Sequence, residues 1–134
     1  MNDQNKFSIY LHIPFCKYKC PYCDFNTYAV NSVPEEDYLQ ALKQEFELVK
    51  NSWLGRDLVS IYWGGGTPGL ISAKSVSEIN QLLLDSFSVD QEIEITIEAN
   101  PKELGFDKLR DFQEIGINRL SLGVQSLNLS LIHI

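Results

Sequence analysis

The sequence predicts an α/β protein built on a parallel sheet, curled as part of a (β/α) barrel. Three observations carry that reading. Strand-like and helix-like runs alternate three times and end on a fourth strand, the rhythm of parallel βα units. Most of the strands are apolar on one face and polar on the other, whereas a flat parallel sheet covered on both sides would be apolar on both. The residues able to do chemistry fall at the C-terminal ends of the strands, where barrels of this kind keep their ligand sites.

The first strand is read over residues 8–13. Ile9, Leu11 and Ile13 share one face and Ser8, Tyr10 and His12 the other. Pro14 ends it. The loop that follows carries all three cysteines, Cys16, Cys20 and Cys23, spaced Cys-x3-Cys-x2-Cys. Ser32-Val-Pro-Glu35 predicts a capping box opening a helix with Leu39, Leu42, Phe46 and Val49 as its buried stripe, ended by Leu54-Gly55.

Residues 58–63 form the second strand, rich in β-branched and aromatic residues, and run into Gly64-Gly-Gly-Thr-Pro68. Ser72 caps a second helix with Val76, Ile79, Leu82, Leu83 and Phe87 inward. Residues 93–98, Ile-Glu-Ile-Thr-Ile-Glu, are the clearest strand in the chain. A short helix begins near Asp107 and closes at Gly116. Residues 119–125 form the fourth strand, with Leu120, Leu122 and Val124 on one face. Parity thus points Tyr10, His12, Glu94, Thr96, Glu98, Ser121 and Gln125 into the interior.

Composition bounds the function. A chain of 134 residues with 44% apolar content is one domain or part of one. The formal charge is −7 and no basic block stands out, so no nucleic-acid partner is expected. The polar N-terminus is no signal peptide, no apolar run approaches spanning length, and the chain reads as cytoplasmic. In a reducing compartment, three clustered cysteines indicate metal or redox chemistry. They could hold three irons of a [4Fe–4S] cluster and leave the fourth open, or a structural zinc with His12 as fourth ligand, making a zinc-stapled interaction module.

The motifs carry a resemblance. The cysteine spacing, with Tyr22 just before the last cysteine, resembles the signature of radical S-adenosylmethionine (SAM) proteins. Tyr10-x-His12-Ile-Pro-Phe-Cys16, Gly64-Gly-Gly-Thr-Pro68, Glu98-Ala-Asn-Pro101 and Gly123-Val-Gln-Ser126 are similar to the oxygen-independent coproporphyrinogen III oxidase family. They look most like its HemW-type haem chaperones, and like the N-terminal part of such a protein.

The resemblance implies a partial TIM barrel of radical SAM type. It implies Cys16, Cys20 and Cys23 as cluster ligands, with SAM chelating the open iron and cleaved by one electron to a 5′-deoxyadenosyl radical. It implies Tyr10, Tyr22, Gly65, Gly66, Thr67, Glu98 and Gln125 as SAM contacts; His12 has no such role and reads as a satisfied interior histidine. Expected partners are haem or a porphyrin, an electron donor such as a flavodoxin-like protein, and a haem acceptor.

Two features favour the chaperone, which binds haem and passes it on, over the oxidase, which decarboxylates coproporphyrinogen III to protoporphyrinogen IX. The chain starts just before its first strand, and Phe25 stands where those oxidases have a fourth cysteine. Residues 1–128 read as the N-terminal part of a radical SAM core domain. Residues 129–134, Leu-Ser-Leu-Ile-His-Ile, leave the family pattern and read as a non-native tail resembling translated read-through of a transposon end.

Overall fold

Strands of alternating character assemble into one parallel sheet in the computed structural model, which describes residues 5–128. The elements in chain order are β1 (Lys6–Ile13), β2 (Phe15–Cys16), β3 (Tyr28–Ala29), α1 (Glu35–Val49), β4 (Asp57–Gly65), α2 (Ala73–Ser86), β5 (Ser88–Ala99), α3 (Phe106–Glu114) and β6 (Arg119–Leu122), with short 3-10 turns between them. The main sheet runs β1-β4-β5-β6, every pair parallel. β2 and β3 make a separate two-residue pair that closes the cysteine loop. The expected tail at residues 129–134, and with it the far side of the expected domain boundary, lies outside the described residues.

The apolar face is the core. Ile13, Leu58, Ile61, Trp63 and Ile97 are fully buried against Leu39 of α1, Val76, Ile79 and Leu83 of α2 and Phe112 of α3. Trp63 satisfies its one donor there, giving its indole N–H to Asn80 Oδ1 at 2.9 Å. The opposite face carries Ser8, Tyr10, His12, Ser60, Tyr62, Glu94, Thr96 and Glu98 in cross-strand rows. The polar face that parity assigned is therefore present on β1 and β5, although Ser8, Tyr10 and Glu94 on it are exposed.

In β4 a bulge changes the count. The register passes from Phe7 opposite Leu58 to Ser8 opposite Ser60, skipping Val59. The skip puts Leu58 on the core face with Ile61 and Trp63, and turns Ser60 and Tyr62 to the polar face. Strict alternation would have grouped Leu58 with Tyr62.

Two termini differ from expectation. Ser32 caps nothing: Pro34 holds the N-cap of α1 without a side-chain bond. Glu35 reaches away instead, accepting from the backbone N–H of Ser72 at 3.2 Å and from its hydroxyl. Ser72 does cap α2, its hydroxyl oxygen accepting from the Ser75 N–H. The capping-box pattern at residues 32–35 failed because a proline pushes the residue before it, Val33, away from helical backbone, so the helix opens only at Glu35, with Pro34 at its N-cap. The fourth strand is also shorter than expected, ending at Leu122 instead of residue 125.

Among the described residues β6 is paired on one side alone, and its outward Leu120 and Leu122 are 36% and 45% exposed. An unpaired edge with an uncovered apolar face is a template for other chains. The 134-residue chain expressed alone is expected to self-associate. A monodisperse monomer by light scattering, with a single cooperative melt, would show that this edge is tolerated.

Candidate cofactor site

Backbone pairing continues beyond the last residues of β1 and β4 and brings two motifs together. The Gly66 N–H donates to the Ile13 carbonyl at 2.7 Å and the Thr67 N–H to the Phe15 carbonyl at 2.8 Å. Gly65 bends the chain at φ +114°, where a Cβ would lie 2.7 Å from the His12 ring. A Cβ on Gly66 would lie 2.5 Å from the Phe15 carbonyl oxygen and 3.0 Å from Cys16 Sγ. No residue with a side chain fits between the glycine turn and the first cysteine.

The cysteine loop is held at several points. Its two stems pair through β2 and β3, and the Val30 N–H donates to the Cys16 carbonyl at 2.9 Å. Lys19 Nζ donates to the carbonyls of Phe25 and Thr27. His12 fastens the middle: Nε2 donates to the Asn26 carbonyl at 3.0 Å, which leaves Nδ1 to accept from the Tyr10 hydroxyl at 3.0 Å. Both ring nitrogens are thus engaged, as a satisfied interior histidine requires.

Glu98, at the exit of β5, faces the glycine turn. One carboxylate oxygen accepts from the Gly65 N–H at 3.1 Å and the other from the Tyr62 hydroxyl at 2.6 Å. That bond to the carboxylate, followed by burial, holds the Tyr62 phenol above its ordinary range. Behind it, Tyr10 stacks on Tyr62 with ring centroids 6.0 Å apart.

These segments surround one cleft of about 720 Å³, within the roughly 300–1,000 Å³ of small-molecule sites. Cys16, Cys20, Cys23, Tyr22, Gly65, Gly66, Thr67, Glu98 and Gln125 all line it. Tyr10 does not. It lies farther back along β1, tied to His12 and Tyr62. Gln125 reaches the cleft by a route that parity did not foresee. It lies past the end of β6 with φ 65°, so a left-handed turn, not strand alternation, directs it inward.

One residue of the cleft and one that supports it from behind escaped the sequence reading. Tyr62 was hidden by the Val59 bulge, although Tyr10, its register partner, was found. Asn100 stood unassigned inside Glu98-Ala-Asn-Pro101; its Nδ2 donates to Thr67 Oγ1 at 3.3 Å.

The fold and the cleft together define a class: a parallel α/β scaffold presenting three free thiols, a glycine turn and an inward carboxylate at neighbouring strand exits. The radical SAM superfamily matches residues 10–133, and this chain belongs to it. "Heme chaperone HemW" of Haemophilus influenzae is 43% identical over 126 residues, covering 90% of this chain and 33% of that protein. "Oxygen-independent coproporphyrinogen III oxidase" of Escherichia coli K12 is 36% identical, covering 93% and 28%. In structure, the chain resembles coproporphyrinogen III oxidase (HemN) from Escherichia coli, a radical SAM enzyme, with a TM-score of 0.86 and 35% identity over 94% of this chain and 29% of that one. The chain spans about a third of the length of the curated relatives it matches.

The residues fit the cluster and SAM that the family implies. Thiols are the donors that iron–sulfur clusters take. The absent Cβ of Gly66 leaves Cys16 Sγ room against the turn, and the carboxylate of Glu98 suits a cationic ligand group. Gly66→Ala is therefore expected to displace Cys16 and weaken iron uptake by the full-length protein by roughly 10- to 100-fold. Gly105→Ala, whose Cβ meets nothing within 4 Å, should leave uptake unchanged. Iron and sulfide assays after anaerobic reconstitution make the comparison.

Proposed function

We propose that the chain is part of a cytoplasmic haem chaperone that holds a [4Fe–4S] cluster through Cys16, Cys20 and Cys23 and binds SAM beside it. The observation that carries this reading is the convergence of those three thiols with Gly65, Gly66, Thr67 and Glu98 on one cleft. Bound together, cluster and SAM supply one-electron radical chemistry. The chain's own residues bind and orient. Glu98 and the carbonyl edge at Gly65–Thr67 receive the ammonium of SAM, Tyr22 packs over the loop, and Gln125 closes the far wall. Tyr10 supports from behind, through Tyr62, instead of touching SAM.

Haem or a porphyrin is the cargo, an acceptor protein receives it, and a flavodoxin-like protein supplies electrons. The similarity to named haem chaperones supports this, as does Phe25, which lines the cleft where the resemblance predicts a fourth cysteine in the oxidases. The likeness to coproporphyrinogen III oxidase in both sequence and fold favours a second reading, radical decarboxylation of a porphyrinogen propionate. Against zinc, His12 has both nitrogens engaged.

Anaerobic reconstitution of the full-length protein should give a brown species, bleached by dithionite and perturbed by SAM. Replacing any one of Cys16, Cys20 or Cys23 by alanine should abolish it. Stoichiometric haem uptake without turnover of coproporphyrinogen is expected. Turnover would replace the chaperone with the oxidase, and a colourless protein holding one zinc would end both.

A further inference from the structure

Three motifs that are far apart in sequence meet at a single sulfur. Asn100 Nδ2 lies 3.3 Å from Thr67 Oγ1, and Thr67 Oγ1 lies 3.6 Å from Cys16 Sγ. The proton count fixes the direction. An amide nitrogen can only donate, so the Thr67 oxygen accepts from Asn100. Its single proton then remains for the sulfur. Thr67 is 3% exposed, so its hydroxyl is largely screened from water. Both ends are anchored by backbone: the Thr67 N–H on the Phe15 carbonyl at 2.8 Å, and the Asn100 carbonyl on the Glu103 N–H at 3.0 Å. Gly123 leaves space for the amide's other end; a Cβ there would lie 2.9 Å from Asn100 Oδ1. The threonine is therefore more than an edge for SAM, since its hydroxyl is already committed to a cysteine.

We propose that Asn100 and Thr67 form a hydrogen-bond relay onto Cys16 Sγ that raises the reduction potential of the cluster ligated there. The inference rests on the cluster-binding reading above. A donor to a ligating thiolate withdraws electron density from it and favours the reduced, more negative cluster. Asn100 acts through Thr67: by occupying the hydroxyl's acceptor side it keeps the O–H aimed at sulfur. Both are positioning residues, and neither need touch substrate.

Potentiometry of the anaerobically reconstituted full-length protein, followed by visible absorption and electron paramagnetic resonance, tests this without any activity assay. Thr67→Val should move the one-electron potential to more negative values, and Thr67→Ser, which keeps the hydroxyl, should restore it. Asn100→Asp offers an acceptor that takes the Thr67 proton away from sulfur. It should lower the potential in the parent and by clearly less in the Thr67→Val background.

A Thr67→Val protein with parental iron content and parental potential would overturn the relay while leaving the cluster reading intact. So would an Asn100→Asp shift of equal size in both backgrounds. Should Thr67→Val load poorly, Thr67→Ala takes its place in both comparisons, and an unmoved potential in it overturns the proposal. A parent protein that takes up no cluster would remove the functional reading and the relay together.

Discussion

Two amide hydrogen bonds, from Gly66 to the Ile13 carbonyl and from Thr67 to the Phe15 carbonyl, are the constraint on which the site depends. They carry the pairing of β1 with β4 past the strands themselves and into the loops. Without them the cysteine loop would be joined to the sheet through side chains and its own stems. With them, the first cysteine is placed by backbone geometry, to within the tolerance of a hydrogen bond. The glycines follow from this. Gly65 supplies the bend and Gly66 the missing side chain, so that two backbones and a sulfur can share one small volume.

The same constraint organises the electrostatics. Glu98 places one oxygen on the Gly65 amide and the other on Tyr62, so the carboxylate is oriented before any ligand arrives. Pre-orientation of this kind lowers the entropy that binding must overcome. His12 does the equivalent on the other side, joining β1 to the loop at Asn26. The polar face of the sheet is thus a connected scaffold behind the cleft, and its residues differ from the cleft's own in what they touch.

Much of this was legible in the sequence, for identifiable reasons. Strand alternation in residues 8–13 and 93–98 was unbroken, so the faces of β1 and β5 could be assigned by parity. The cysteine spacing, the glycine run and Glu98 were visible because each closes a strand. What was hidden depended on local breaks in periodicity. One extra residue, Val59, concealed the orientation of Tyr62. A left-handed turn, not a longer strand, brought Gln125 to the cleft. Glu35 had the spacing of a capping-box residue, yet bonded to Ser72, a partner 37 positions away that no local pattern could reveal. Asn100 was likewise invisible, because its role is defined by two other segments.

The irregularities of the sheet are unevenly placed. Val59 is skipped near the start of β4, and in β5 the register passes from Val89 opposite Leu58 to Glu94 opposite Ser60, so residues 90–93 have no register partner on β4. Both lie at the end where strands enter, and the register is unbroken toward the end where they leave. A parallel sheet sorts its two rims in this way. Length changes at the entry rim are absorbed before they reach the exit rim, because each strand re-enters register within a few residues, after one in β4 and after four in β5. The entry rim is therefore the place where this scaffold can accept insertions, and the exit rim is the place where the spacing between segments is held to a fixed measure.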